Sequence, residues 1–213
     1  FDTASVTEMR AILHNAVSYN QPLAWDTGRV IDMQLLLSNT VFFDQSVDLD
    51  TSSVTNLRKM LSGASVFNQA LALDTSRVTD MGMLLKEATV FNRPLDFDTA
   101  SVTDMRSLLD GALYLDAALN FSSTSAVTDM SSLFEEASKF NQPLELDTSS
   151  VTAMGSMFKD ANSFAQPVAF NTGSVVDMSL MFGRTGSFDQ PLDFDTSSVT
   201  TMLDLFERAA FNH

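Results

Sequence analysis

The chain has 213 residues, 45% of them hydrophobic, which supplies a folded core and argues against general disorder. Twelve Lys and Arg against 27 Asp and Glu leave a net charge of −15, the wrong sign for nucleic-acid phosphates or an anionic membrane surface. No cysteine is present, so disulfides, thiolate metal sites and cysteine nucleophiles are excluded, and no apolar run of about 18 residues offers a membrane span. Such a field fits a basic partner or bound cations, and it also keeps a repetitive protein soluble. Opening at Phe1 without a Met, the chain reads as an excerpt of a longer one.

Self-similarity overrides every local reading. A valine opens the phrase V-T-x-M at Val6, Val30, Val54, Val78, Val102, Val127, Val151, Val175 and Val199, at a spacing of 24 residues seven times and 25 once. Three residues on comes Met9, Met33, Leu57, Met81, Met105, Met130, Met154, Met178 or Met202. An aromatic column holds Tyr19, Phe43, Phe67, Phe91, Phe140, Phe164 and Phe188, with Leu115 as its exception. Residues 1–213 therefore read as a single repeat array of about eight to nine 24-residue coils, without linkers.

In chain order, each unit opens on P-L-x-F-D, whose alternation predicts a short half-buried strand. The five prolines share one column at its entrance, where no ladder donor is needed. D-T-S-S follows as turn chemistry. A helix start is predicted next, with capping-box spacing at Ser5–Glu8 and Ser101–Asp104. The apolar residues after it, Val151, Met154, Met157 and Phe158 for example, fall on one helical face. A small residue (Ala16, Ala64, Ala88, Ala112, Ala137, Ala161, Ala209) lets the helix end pack closely. The expected fold class is α/β: a solenoid of strand-plus-helix coils with one parallel sheet, its Met, Phe, Leu and Val columns forming the core.

The phrase "FNQPLELDTSSVTAMGSMFKDANSF" (140–164) resembles the repeat of the BspA-like surface proteins, a leucine-rich-repeat-like family. Similar arrays occur in mycoplasma lipoproteins, other bacterial surface proteins and marine microalgae. The resemblance covers nearly the whole chain and implies a leucine-rich-repeat-like solenoid, secreted or on a cell surface, engaged in adhesion or protein recognition. An intracellular or organellar complex is the alternative location. The departures are "LYLDAALNFSSTSAV" (113–127) and the final "RAAFNH".

No catalytic constellation is found. His14 and His213 lie near opposite ends in non-equivalent repeat positions, and the periodic serines and threonines have no base built around them. The chain is read as no enzyme and without a cofactor, calcium being the one candidate ion.

The informative polar feature is an acidic ladder. Asp2, Asp26, Asp50, Asp74, Asp98, Asp147 and Asp195 share a column, with Ser122 and Asn171 filling its gaps. Two positions earlier, on the same strand face, lie Asp48, Asp96, Asn120, Glu145 and Asp193. One reading is structural: each column Asp accepts backbone amides of the turn behind it. The other is functional: a stripe that binds a basic partner or bridges calcium, with Asp26, Asp48, Asp50, Asp74, Asp96, Asp98, Glu145, Asp147, Asp193 and Asp195 as the binding residues. A second acidic column (Glu8, Asp32, Asp80, Asp104, Asp129, Asp177) is assigned to the first helical turn.

The expected function is a non-enzymatic recognition, adhesion or scaffold module that presents a rigid acidic surface to another protein. The alternatives are a structural subunit of a larger assembly and a calcium-stabilised surface adhesin. In each, flanking segments or neighbouring subunits cap the coil ends.

Overall fold

The computed structural model describes residues 2–213; Phe1, where the predicted array begins, lies outside the described residues. Parallel bridges join Glu8 to Asp32, Asp32 to Asn56, and so on to Asp177 and Thr201, so equivalent residues of successive copies stack side by side. We number the nine coils by their valines, from Val6 in coil one to Val199 in coil nine.

The predicted α/β fold, a leucine-rich-repeat-like coil of strand plus helix, is corrected by the structure. Among the described residues there is no helix, and only β1 (Leu95–Phe97) and β2 (Leu119–Phe121) pair as strands, in parallel. Where helices were expected, the backbone runs through overlapping four-residue turns. In coil two the amides of Leu36, Ser38 and Thr40 bond back to the carbonyls of Met33, Leu35 and Leu37 at 3.1–3.2 Å. The amides between them point along the stack: Met33, Leu35, Leu37 and Asn39 donate to Asn56, Arg58, Met60 and Ser62 of coil three at 2.7–3.0 Å. One bond runs the other way, from the Thr55 amide to the Ile31 carbonyl at 2.9 Å.

This turn chain requires positive φ at two residues per coil, five and nine after the valine. Leu35 (60°) and Asn39 (59°) are the coil-two examples. Each is the third residue of its turn, where φ > 0 marks a type II turn. Sixteen non-glycine residues adopt it, beside Gly63 and Gly111. Each costs about 1–2 kcal/mol for an ordinary side chain. The conformation persists because it turns alternate amides towards the next coil, and each net hydrogen bond returns roughly 0.5–1.5 kcal/mol. A helix of ten residues is marginal alone and would spend all its amides within one coil. The apolar spacing does not discriminate, since the turn chain buries the same residues: Val30, Met33, Leu36, Leu37 and Phe43 are all 0% exposed.

The core is one column of like on like, continuous from Met9 to Leu205. Phe43, Phe67 and Phe91 stack with centroids 5.9–6.0 Å apart and planes within 8°. Leu115 takes the ring's place in coil five and is fully buried. The stack resumes at Phe140, Phe164 and Phe188, joined by a second file of Phe134, Phe158, Phe182 and Phe206.

The bonds between coils change in kind around the ring. Hydrogen-bonded strands lie about 4.8 Å apart, and the turn chain is bonded main chain to main chain. On either side of P-L-x-F-D a side chain spans the step instead. Thr27, Thr51, Thr124, Thr148 and Thr172 donate Oγ1 to a carbonyl of the next coil at 2.9–3.0 Å. At the other flank, Asp44, Asn68, Asn92 and Asn141 amides bond to carboxamide or carboxylate oxygens of the preceding coil at 2.9–3.0 Å. Between these flanks the P-L-x-F-D segments alternate buried and exposed as predicted, but only β1 and β2 pair. The predicted single sheet is thus absent because main-chain bonds between these segments form only at β1 and β2, side chains making the other links between coils. The prolines are tolerated for the same reason: no ladder awaits their missing amide.

Two substitutions in one left-handed column test the turn chain. Gly63→Ala places a Cβ against Asn39 at φ 75° and should destabilise by about 1–2 kcal/mol. Glu87→Gly, at φ 59° on the surface, should stabilise by roughly 0.5–1 kcal/mol. Urea unfolding reads both, and equal small losses would contradict the turn assignment.

Candidate functional site

The acidic column is built by its own turn. Amides two residues on donate to Asp2, Asp26, Asp50, Asp74, Asp98, Asp147 and Asp195, at 2.9–3.3 Å. Asn171 accepts the same bond from Gly173. The remaining place belongs to Ser123, whose hydroxyl receives the Ser125 amide, and not to Ser122 as the column count suggested. Ser122 is displaced by the extra residue of this coil and instead donates to Asp98 at 2.9 Å. The structural reading of this column therefore holds.

The upstream column is different. Asp48 is met by Ser46 Oγ and Asp96 by Asn120 Nδ2, both at 2.6 Å and on the surface. No turn depends on Asp48, Asp96, Glu145 or Asp193. All ten predicted binding residues are solvent-exposed, along the P-L-x-F-D side of the stack.

Basic residues gather elsewhere. Arg10 pairs with Asp32 at 2.7 Å, Arg58 with Asp80 and Asp104, Arg106 with Asp104, Lys86 with Asp110, and Lys159 with Glu135. These pairs lie along the turn chain. Asp32, Asp80, Asp104, Asp129 and Asp177, assigned above to a helix start, each accept the amide two residues on at 2.8–3.0 Å. Among the described residues, none of the ten candidate carboxylates joins an ion pair. The stripe's carboxylates form no ion pairs among the described residues, though the charge of Arg77 acts on Asp74.

Nor is a chelating set preformed: among the described residues no three or more His, Asp or Glu side chains are grouped to hold a metal ion. His14 is exposed on the turn chain, not on a helix, and His213 reaches only Asp189. Sequence reasoning missed the two latches. The Thr after each column Asp reads only as part of its turn, and the Asn or Asp after most aromatics carries no reading, but both span steps between coils. Their recurrence every 24 residues was the available signal.

Four column carboxylates, Asp50, Asp74, Asp147 and Asp195, are held below their ordinary pKa, first by the hydroxyl and then by the amide of the serine two residues on. Their folded pKa lies below the unfolded value of about 3.9. Their contribution to stability is therefore complete above that value and is lost as pH falls through the folded pKa. Asp104 has the opposite sign: burial first, and the neighbouring charges of Asp80 and Asp129, push it up. Its cost to the folded state is relieved as pH falls through its folded pKa. Ser149→Ala should raise the Asp147 pKa towards its ordinary value and make stability less pH-dependent below about pH 4. Carboxyl NMR titration measures the first and urea unfolding across pH the second; an unmoved Asp147 would refute the turn's role.

Comparison with known proteins places this geometry in a family. No curated protein and no solved structure matches the chain. The family model described as "Mycoplasma protein of unknown function, DUF285" matches residues 1–94, 45–145, 70–167 and 112–213. These overlapping matches follow the stacked copies from end to end, and the chain belongs to that repeat family.

Proposed function

We propose that the chain is a non-enzymatic recognition or scaffold module, which offers its acidic side to a basic surface on another protein. One observation carries this: ten exposed carboxylates lie on a regular stack, and among the described residues none forms an ion pair with a cation of the protein itself. Like charges at coil spacing repel, and a partner bearing Lys or Arg relieves that repulsion on binding. Repeat stacks present extended, rigid binding surfaces. Placement outside the cell or on its surface belongs to the same proposal and rests on the resemblance to BspA-like surface proteins, without their leucine-rich-repeat fold.

Panning a displayed library of random twelve-residue peptides against the purified chain tests this reading. Enriched peptides should carry an excess of Lys and Arg, and binding should weaken as salt rises from 50 to 500 mM. The variant Asp48→Asn, Asp96→Asn, Glu145→Gln, Asp193→Asn should keep its melting temperature and lose enrichment. Enrichment of neutral peptides, indifferent to salt and to this variant, would refute the proposal.

A further inference from the structure

We propose a second docking surface, which goes beyond the acidic stripe: an exposed apolar ridge on coils two to five that receives a basic, amphipathic helix of a partner protein. Phe42, Val66, Val90 and Tyr114 hold one column, twelve residues after the valines of their coils. Phe42 is 56% exposed, Val66 37% and Tyr114 57%, and Val90 is half-buried. In the column before it stand Val17, also exposed, and the half-buried Val41 and Leu113. The amides of Phe42, Val90 and Tyr114 donate to the Val17, Ser65 and Thr89 carbonyls of the preceding coil at 3.2–3.3 Å, which sets the column side by side.

The fold does not ask for these side chains. The same column holds Ser18, Lys139, Ser163 and Ser187 in coils one, six, seven and eight. The Ser163 amide makes the equivalent bond, to the Ser138 carbonyl at 3.2 Å. The core ring that follows is buried whichever letter precedes it: Phe67 after Val66 and Phe164 after Ser163 are both fully buried. Single apolar residues on a surface are ordinary, but a contiguous run confined to four neighbouring coils marks an interaction site.

The occupant follows from the main chain, the spacing and the charge. Three of the ridge amides are spent between coils, so the ridge offers a partner side chains and not a strand edge. A helix satisfies its own amides and presents an apolar face to such a surface. The rings of coils two to four stack at 5.9–6.0 Å, close to the 5.4 Å helical turn. A helix laid along the stack therefore sets one apolar residue on each coil, at i, i+4, i+7 and i+11. Asp44 and Asp116, two residues after Phe42 and Tyr114, and Glu87, three before Val90, join no ion pair among the described residues. Of the cations nearby, Lys86 is paired with Asp110 and Arg93 donates to the Asn68 carbonyl. Lys or Arg beside the helix's apolar face complements those acids, whereas a second copy, at a net charge of −15, brings like charge to like.

The test pans the whole chain against a displayed library of helical peptides, with Leu fixed at i, i+4, i+7 and i+11 and every other position random. Enriched peptides should carry Lys or Arg beside the leucines. Phe42→Ser with Tyr114→Ser should weaken their binding, read by calorimetry, roughly tenfold or more. Serine already serves this column at Ser163, so the melting temperature should hold. Val66→Lys with Val90→Lys, the residue of the column at Lys139, should abolish binding and gives a second variant should the first lose stability. The acidic-stripe variant Asp48→Asn, Asp96→Asn, Glu145→Gln, Asp193→Asn should leave binding within about twofold. Absence of enrichment, or peptides that bind both ridge variants as tightly as the parent chain, overturns the ridge; the recognition proposal is then decided by its own library. Peptides lost only on the stripe variant overturn the ridge and support the stripe. Sedimentation showing that the parent chain self-associates while the Phe42→Ser, Tyr114→Ser variant stays monomeric would assign the ridge to a second copy and overturn the helix.

Discussion

The structure depends on one arrangement: alternate peptide units of the turn chain lie along the stack axis, so each coil's main chain is bonded to the next. Four amides per step donate forward, as Met33, Leu35, Leu37 and Asn39 do, and one bond returns. This requirement, more than side-chain packing, sets the 24-residue period. A coil of a different length brings the wrong amide to the wrong carbonyl. The one 25-residue coil places its extra residue at Ser122–Ser123, on the P-L-x-F-D side, where no amide ladder is disturbed. Sixteen non-glycine residues at positive φ are the cost of the arrangement. They persist only because bonds and packing on both sides over-determine them.

A stack joined main chain to main chain on one side is joined mainly by side chains on the other. Main-chain bonds hold the turn chain, Thr and Asn side chains reach across the flanks, and the P-L-x-F-D segments between them pair main chain to main chain only at β1 and β2. The recurrent phrase F-N-Q-P-L-x-x-D-T can be read letter by letter along this gradient. Phe fills the core, Asn latches its neighbour's amide and Pro sits where no amide is wanted. Asp closes the turn and Thr latches the next coil. The side joined by side chains is also the acidic side.

The period, the stacking of like on like and the core columns were legible in the sequence because they depend only on recurrence and hydrophobicity. The helix was not, because Val151, Met154, Met157 and Phe158 suit a helical face and a chain of turns alike. What distinguishes the two is the tolerance for φ > 0, and only half of that was written plainly. Nine residues after the valine stand Asn15, Asn39, Gly63, Gly111 and Asp160, the residue types that favour the left-handed region. Five after it stand Leu35, Lys59 and Met83, which announce nothing. Their conformation is imposed by the neighbouring coil, an interaction that no local propensity records. Within the site, the turn role of the Asp column was legible from Asn171. The unpaired hydroxyls of Thr3 and Thr75 were not, since both threonines follow a column Asp as their bonded equivalents do.

Two acidic columns two residues apart carry different burdens, and that separation matters for how such a surface can change. Asp50, Asp74, Asp147 and Asp195 are tied to the serines behind them, and loss of the carboxylate oxygen frees a turn amide. Asp48, Asp96, Glu145 and Asp193 support no turn, and alanine stands in the same column as Ala24, Ala72 and Ala169. The stack therefore tolerates loss of charge at these places, and the four acids owe their presence to something other than the fold. On the turn-chain side, where charge does serve the fold, carboxylates are matched by Arg58, Arg106 and Lys159. Acids that no turn needs and no ion pair of the chain engages are the ones the proposed basic partner would meet.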